Sequence, residues 1–320
     1  MRNSAAALLM CVASAAYAQT YPAKPIRFVV PFAAGGGSDL VARTVAAKIT
    51  DALGQAVIVD NRAGAAGTIG ADIAAKSPAD GHTLLLGSNG PLAINPSLYV
   101  KLPYDAARDF VPVSLVTVMP FLLVTHPSLP VKTVKDLVAL AKAKPGQLNY
   151  GSPGNGSTTH LANELLKSIT GIQVTHIPYK GVAPAATDLI SGQVQMMSGD
   201  LSTLLPHVRS GRMRSIAVTA LRRSSLLPEM PTVAESGVPG YEATGWFGVL
   251  VPAATPQPIV DRLNVAIVKG LAASDARERL AALGGEVGGN TPEQFAAHIR
   301  NEAAKWSNLI KSLGLKADQG

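Results

Sequence analysis

The chain has 320 residues, a formal net charge of +7, 5% aromatic residues and no run of basic residues longer than Arg222 and Arg223. A stacking platform or phosphate-tracking groove for nucleic acid is therefore not expected. The single cysteine, Cys11, lies in the first twenty residues, so the rest of the chain has no disulfide, thiol nucleophile or thiolate metal site.

The opening stretch, MRNSAAALLMCVASAAYAQT, has Arg2, a short apolar core, and small residues Ala16 and Ala18 around Tyr17. This is the pattern of a secretory signal peptide, with cleavage expected after Ala18. The apolar core is too short for a membrane span, which takes about 20 residues. Met10 is too bulky for lipoprotein processing at Cys11. Removing residues 1–18 leaves 302 residues and lowers the charge from +7 to +6, because Arg2 is the only charge lost. That length suits two lobes of about 150 residues each, in a soluble protein outside the cytoplasm.

Strands are predicted at 26–32, 55–61, 83–88, 121–126, 147–152, 173–178, 193–199, 215–220 and 247–253. Helices are predicted at 39–53, 68–76, 134–142, 158–170, 183–189, 258–273, 275–283 and 292–313. The alternation is that of an α/β protein with a largely parallel sheet. The first helix puts Val41, Val45, Ile49 and Leu53 on one stripe and stops at Gly54. Two stretches rich in turn formers, 125–133 and 236–245, are read as crossings between lobes. One lobe then comes from both termini (19–124 with 245–320) and the other from 125–244, with a cleft between them.

The stretch PFAAGGGSD (31–39) joins the first strand to the first helix through Gly35, Gly36 and Gly37. The N–H groups that open a helix lack intrahelical partners, and the peptide dipoles add about half a positive charge there. Glycines let such a turn come close to an anion. The alternative is a plain turn capped by Ser38 or Asp39. GSPGNGSTTHLANELL (151–166) repeats the arrangement, with Ser157 as N-cap and Thr158, Thr159 and His160 in the first turn. A third such segment, 61–76, reads as packing and turn chemistry.

These loops are not nucleotide fingerprints. Leu40 stands where G-x-G-x-x-G needs its third small residue, and G-x-x-x-x-G-K-[ST] is absent. The six histidines show no H-E-x-x-H spacing, G-x-S-x-G is absent, and GDLS (199–202) only loosely resembles a hydrolase block. No cofactor or metal is expected, and the anion is a phosphate or a carboxylate. Four hydrogen bonds to charged oxygens contribute about 1.5 to 3 kcal/mol each, and micromolar binding needs about 8 kcal/mol. Association entropy takes a share, so two opposed loops serve better than one.

Together these motifs resemble the substrate-binding proteins of tripartite tricarboxylate transporters, the Bug family. The resemblance is carried by residues 21–43, 59–88 and 151–166, HIPYKG (176–181) and 228–256. It implies a type II-like, two-lobed periplasmic Venus flytrap, each lobe a mainly parallel sheet flanked by helices. It also implies a monomer without catalysis that delivers a small organic carboxylate to membrane permease subunits. A receptor serving a signalling partner and a secreted α/β hydrolase are the alternatives.

By the same resemblance, Phe32, Ala33, Ala34, Gly35, Gly36, Gly37, Ser38 and Asp39 hold one end of the ligand. Gly154, Asn155, Gly156, Ser157, Thr158, Thr159 and His160 hold a carboxylate from the other lobe. Ser88, Asn89, Tyr179, Lys180, Asp200 and Trp246 are candidates for the cleft wall. Each of several has a blander reading: Lys180 as a surface residue, Trp246 as packing between lobes, Asp200 as a helix cap and His160 as an internal imidazole. His176 is read as core. Ala33 and Ala34 are small and uncharged, which favours a carboxylate without an amine, bulky or aromatic, although Asp200 offers an amine a partner. Arg209, Arg212, Arg214, Arg222 and Arg223 read as a solvated face or a docking surface for a membrane partner.

Overall fold

The computed structural model describes residues 21–316, so the signal-peptide and Cys11 readings lie outside the described residues. The elements run β1 (Ile26–Val30), α1 (Gly37–Leu53), β2 (Val57–Asn61), α2 (Thr68–Ala75), β3 (Thr83–Ser88), α3 (Asn95–Leu98), β4 (Phe110–Thr125), α4 (Val134–Ala143) and β5 (Leu148–Ser152). They continue with α5 (Thr158–Thr170), β6 (Val174–Pro178), α6 (Val182–Ile190), β7 (Met196–Asp200), α7 (Leu201–Arg209), β8 (Arg214–Val218), β9 (Thr244–Pro252), α8 (Gln257–Leu271), α9 (Ser274–Ala282), β10 (Glu286–Val287) and α10 (Pro292–Leu313).

In the first half β1 lies parallel between β2 and β3, and in the second β5 lies parallel between β6 and β7. Helices cover both faces of such strands, so β3 reads as a nearly unbroken apolar run whose residues are all buried. β4 joins the halves. It pairs antiparallel with β9 from Phe110 to Pro120, then with β7 and β8 from Phe121 or Leu122 onward. The change of partner therefore falls at Pro120–Phe121, ahead of the turn-rich 125–133 stretch. On the return, the Ala243 N–H bonds to the Thr219 carbonyl in the second half, and Thr244 pairs with Pro120 at the start of β9.

The first part of β4, residues 110–120, is absent from the sequence prediction. Pro112 and Pro120 cannot donate to a ladder, which argues against a central strand. The structure absorbs the irregularity with register shifts between Pro112 and Ser114 and between Leu115 and Thr117. The short α3 and β10 are also unpredicted, and α7, which carries Pro206 inside it, is anticipated only through the reading of Asp200 as a helix cap.

α10 opens with a capping box between Thr291 and Gln294 and is long enough to serve both halves. Phe295 and Ile299 pack with Trp246 and Leu250 of β9, whereas Trp306, Leu309 and Ile310 pack with Leu123, Tyr150 and Leu161 of the second half. A polar tie sits where these elements meet. The buried Asn89 amide donates to the Thr244 carbonyl (3.2 Å) and Glu302 Oε2 (3.0 Å), and its Oδ1 accepts from the Trp246 N–H (3.0 Å). Glu302 also accepts from Trp306 Nε1 (2.9 Å) and pairs with Lys305.

A methyl group at Gly248 of β9 would stand 2.1 Å from Cζ of the fully buried Phe295 ring. Gly248→Ala is expected to lower the unfolding free energy by about 1 to 3 kcal/mol through overpacking, read as a lower urea midpoint. An unchanged midpoint contradicts this packing of α10 on β9.

Candidate functional site

The carboxyl ends of β1, β3, β5 and β7 open onto one cavity of about 360 Å³, bordered by Phe32, Ser88, Pro153 and Asp200. This is where open α/β sheets place their ligands. Four helices start at its wall: α1 through Gly37 and Ser38, α5 through Thr158 and Thr159, α6 through Val182, and α7 through Ser202 and Thr203. A helix start leaves backbone N–H groups without intrahelical partners and carries the positive end of the helix dipole, and four such starts border this cavity. Among the described residues that line it, Asp200 is the only ionisable side chain.

The first turn of α1 follows Gly36, which offers no side-chain cap. Asp39 faces inward and holds the turn from behind. Its Oδ2 accepts from the Gly35 N–H (3.0 Å) and from Arg43 Nε (2.9 Å), and the Arg43 bond is the main reason its carboxyl sits below the usual range. At α5 the Ser157 hydroxyl accepts from the His160 N–H (3.2 Å) and donates to the Gly154 carbonyl (2.8 Å). Gly156 has φ +72°, and a Cβ there would stand 2.3 Å from Leu98 Cδ2. Its glycine thus serves the approach of α3 as well as the turn.

His160 is an internal imidazole. It is 2% exposed, its Nδ1 accepts from the Gly156 N–H (3.0 Å), and its ring stacks on His176 at 4.0 Å. Tyr150 extends the stack at 4.8 Å from His176 and donates to Glu164 Oε1 (2.5 Å), which also pairs with Lys167 (2.6 Å). Burial pushes both imidazoles toward the neutral form, with His176 lowered to about 4 by burial first and by His160 second. His176 Nε2 lies 2.6 Å from Ser152 Oγ. Ser152 is fully buried, so this serine–histidine pair supports the loop rather than presenting a nucleophile.

Two hydroxyls on the wall, Ser88 Oγ and Thr159 Oγ1, are buried and make no hydrogen bond with the protein. Buried polar atoms are seldom left so, and both residues border the cavity. Asp200 is half-buried at the start of α7, makes no side-chain cap bond, and burial raises its carboxyl.

Of the residues predicted from sequence, the cavity brings together Phe32, Gly37, Ser38, Ser88, Asn89, Ser157, Thr158, Thr159, Asp200 and Trp246. Asn89 spends its amide on the polar tie, and the Trp246 indole packs edge-on against Phe295 and His298. Ala33, Ala34, Gly35, Gly36 and Asn155 are exposed on their loops and lie off the lining, as do Gly154 and Gly156 in the turn behind Ser157. Tyr179 also lies off it, with its hydroxyl donating to Asp188 (2.7 Å), and Lys180 is exposed. The arginines of 209–223 disperse: Arg214 binds the Leu129 and Val131 carbonyls, Arg223 pairs with Glu235, and Arg212 bonds to Ser210.

Sequence reasoning missed Met119, Phe121 and Phe247, which come from the crossing strands, and Val182 and Leu283. It also missed Ser202 and Thr203, although two hydroxyl residues just after Asp200 are themselves a helix-start signal.

Residues 41–315 match the profile of the tripartite tricarboxylate transporter family receptor. The chain is 41% identical over 306 residues to protein BugT of Bordetella pertussis, covering 95% of this chain and 94% of BugT. It is also 41% identical over 300 residues to a UPF0065 protein in the tcbD-tcbE intergenic region of Pseudomonas sp. strain P51, covering 93% and 89%. Among solved structures, R. palustris Rpa4515 with adipate superimposes with a TM-score of 0.80 at 40% identity, covering 92% of this chain and 99% of that one. MatC from Rhodopseudomonas palustris with bound malate gives 0.75 at 34% identity, covering 91% and 100%.

The histidine stack sets an acid limit on stability. The folded value of His176, about 4, lies below its ordinary 6.5, so the neutral ring stabilises the fold above 6.5. That contribution is lost as pH falls from 6.5 toward 4. His176→Gln is expected to remove on the order of 2 kcal/mol of this pH-dependent loss, measured by urea unfolding across the window. Parallel stability–pH curves for the two proteins contradict the assignment.

Proposed function

The chain belongs to the tripartite tricarboxylate transporter receptor family, and we propose that it closes on a small organic carboxylate in the periplasm and hands it to the permease subunits of such a transporter. It is a solute-binding protein, not an enzyme. The observation that carries the reading is the meeting of the α1 and α5 starts at one cavity, beside the unpartnered Ser88 and Thr159 hydroxyls. These groups saturate a carboxylate without an arginine or lysine. The relatives bound to adipate and malate support a carboxylate over a phosphate.

In this reading the lobes read from the sequence, 19–124 with 245–320 and 125–244, meet a few residues earlier in β4, at Pro120–Phe121, where that strand changes partners and carries the chain across. The α1 start and Ser88 belong to the first lobe and the α5 start to the second, so a ligand touching both favours the closed arrangement over the open one.

A thermal-shift screen of carboxylates and phosphate esters tests the reading. Saturation at about 100 times Kd adds about 2.7 kcal/mol of stability. Thr159→Val and Ser88→Ala are each expected to weaken the carboxylate found by about tenfold or more in calorimetry, since each removes a hydrogen bond to a charged oxygen. Stabilisation by phosphate esters and by no carboxylate contradicts the proposal.

A further inference from the structure

We infer that the carboxylate taken by this cleft carries an apolar body, a hydrocarbon chain or an aryl ring, in preference to a hydroxylated one. The inference rests on the carboxylate reading above and adds the class of molecule.

The cavity wall beyond the helix starts is formed by Phe32, Met119, Phe121, Val182, Phe247 and Leu283. Phe32 and Phe247 meet edge to face at 6.4 Å, which fixes the two rings against each other. Phe32, Met119, Val182, Phe247 and Leu283 are only half-buried, while Phe28, Val249 and Val251 on the neighbouring strands are fully buried. Their uncovered surface borders the cavity, and an apolar ligand body removes it from water.

A polyhydroxylated acid would lose water at each hydroxyl against these side chains and find no partner there. The polar groups on the lining lie at the helix starts, at the end of β3 through Ser88 and Asn89, and at Trp246, whose buried Nε1 has no partner in the protein; the six side chains above offer none. Asp200, neutral or ionised, adds no positive charge. The volume of about 360 Å³ falls in the usual range for small-molecule sites, roughly 300 to 1,000 Å³. The ground for an apolar ligand is thus the wall from the crossing strands; Ala33 and Ala34 lie off the lining.

Calorimetry on the purified protein at neutral pH tests this with a matched pair: adipate against galactarate, its tetrahydroxylated counterpart of the same chain length. Phenylacetate is added to separate ring from chain, with malate and citrate as small polar acids. Adipate or phenylacetate is expected to bind at least about tenfold more tightly than galactarate, malate and citrate. Phe247→Ala is expected to erode that preference by about tenfold, weakening adipate and phenylacetate more than the polar acids. Phe247→Leu replaces it if the alanine variant does not fold, with a smaller loss in the same direction. Binding of galactarate, malate or citrate as tight as that of adipate and phenylacetate overturns the inference and leaves the carboxylate reading standing. So does a Phe247 variant that weakens all the acids equally. Binding of phosphate esters alone overturns both.

Discussion

The first turn of a helix leaves backbone N–H groups without partners, and in this chain two such turns, from different halves of the fold, end at one cavity. The rest of the structure serves to bring them there and hold them. Parallel strands β1 and β5 deliver the chain to the cavity edge, and a glycine turn follows each. Behind each turn is an internal brace: the Asp39 carboxylate at Gly35 and the His160 imidazole at Gly156. Both braces face the protein, which leaves the cavity side of each turn to a ligand. Main-chain donors suit this task because they are fixed before the ligand arrives and need not give up the conformational freedom of a long cationic side chain.

The two halves are tied by elements with different mechanical roles. β4 and β9 run beside each other through the junction, with the change of partners at Pro120–Phe121. α10 packs its first turns on one half and its last turns on the other. The Asn89, Glu302 and Trp306 contacts bind β3, β9 and α10 at that junction, and Asn89 also reaches the cavity. Leu98 of α3 adds a further contact between the halves, at Gly156.

Much of the frame was legible in the sequence. The apolar runs of β1 and β3 and the stripe of α1 follow directly from burial on two faces or on one. The glycine loops pointed to helix starts because glycine, a hydroxyl residue and an apolar repeat follow one another there, although only Ser157 caps its helix; at α1 the cap position is Gly36, and Ser38 and Asp39 lie inside the helix. Local patterns were less informative about direction. Nothing in GSTTH tells that Thr159 borders the cavity while His160 turns inward to stack on His176, because that depends on a strand more than ten residues away. The apolar wall was hidden for a related reason. Met119, Phe121 and Phe247 come together only because β4 and β9 pair across the junction, and prolines mask the first part of β4 as a strand.

The most direct measurement is a crystal structure of the protein with its bound carboxylate. The account predicts carboxylate oxygens within hydrogen-bonding distance of the N–H groups at the starts of both α1 and α5, with Ser88 or Thr159 completing the shell. A carboxylate held by lysine or arginine side chains, or seated outside the cavity between these two helix starts, would contradict it.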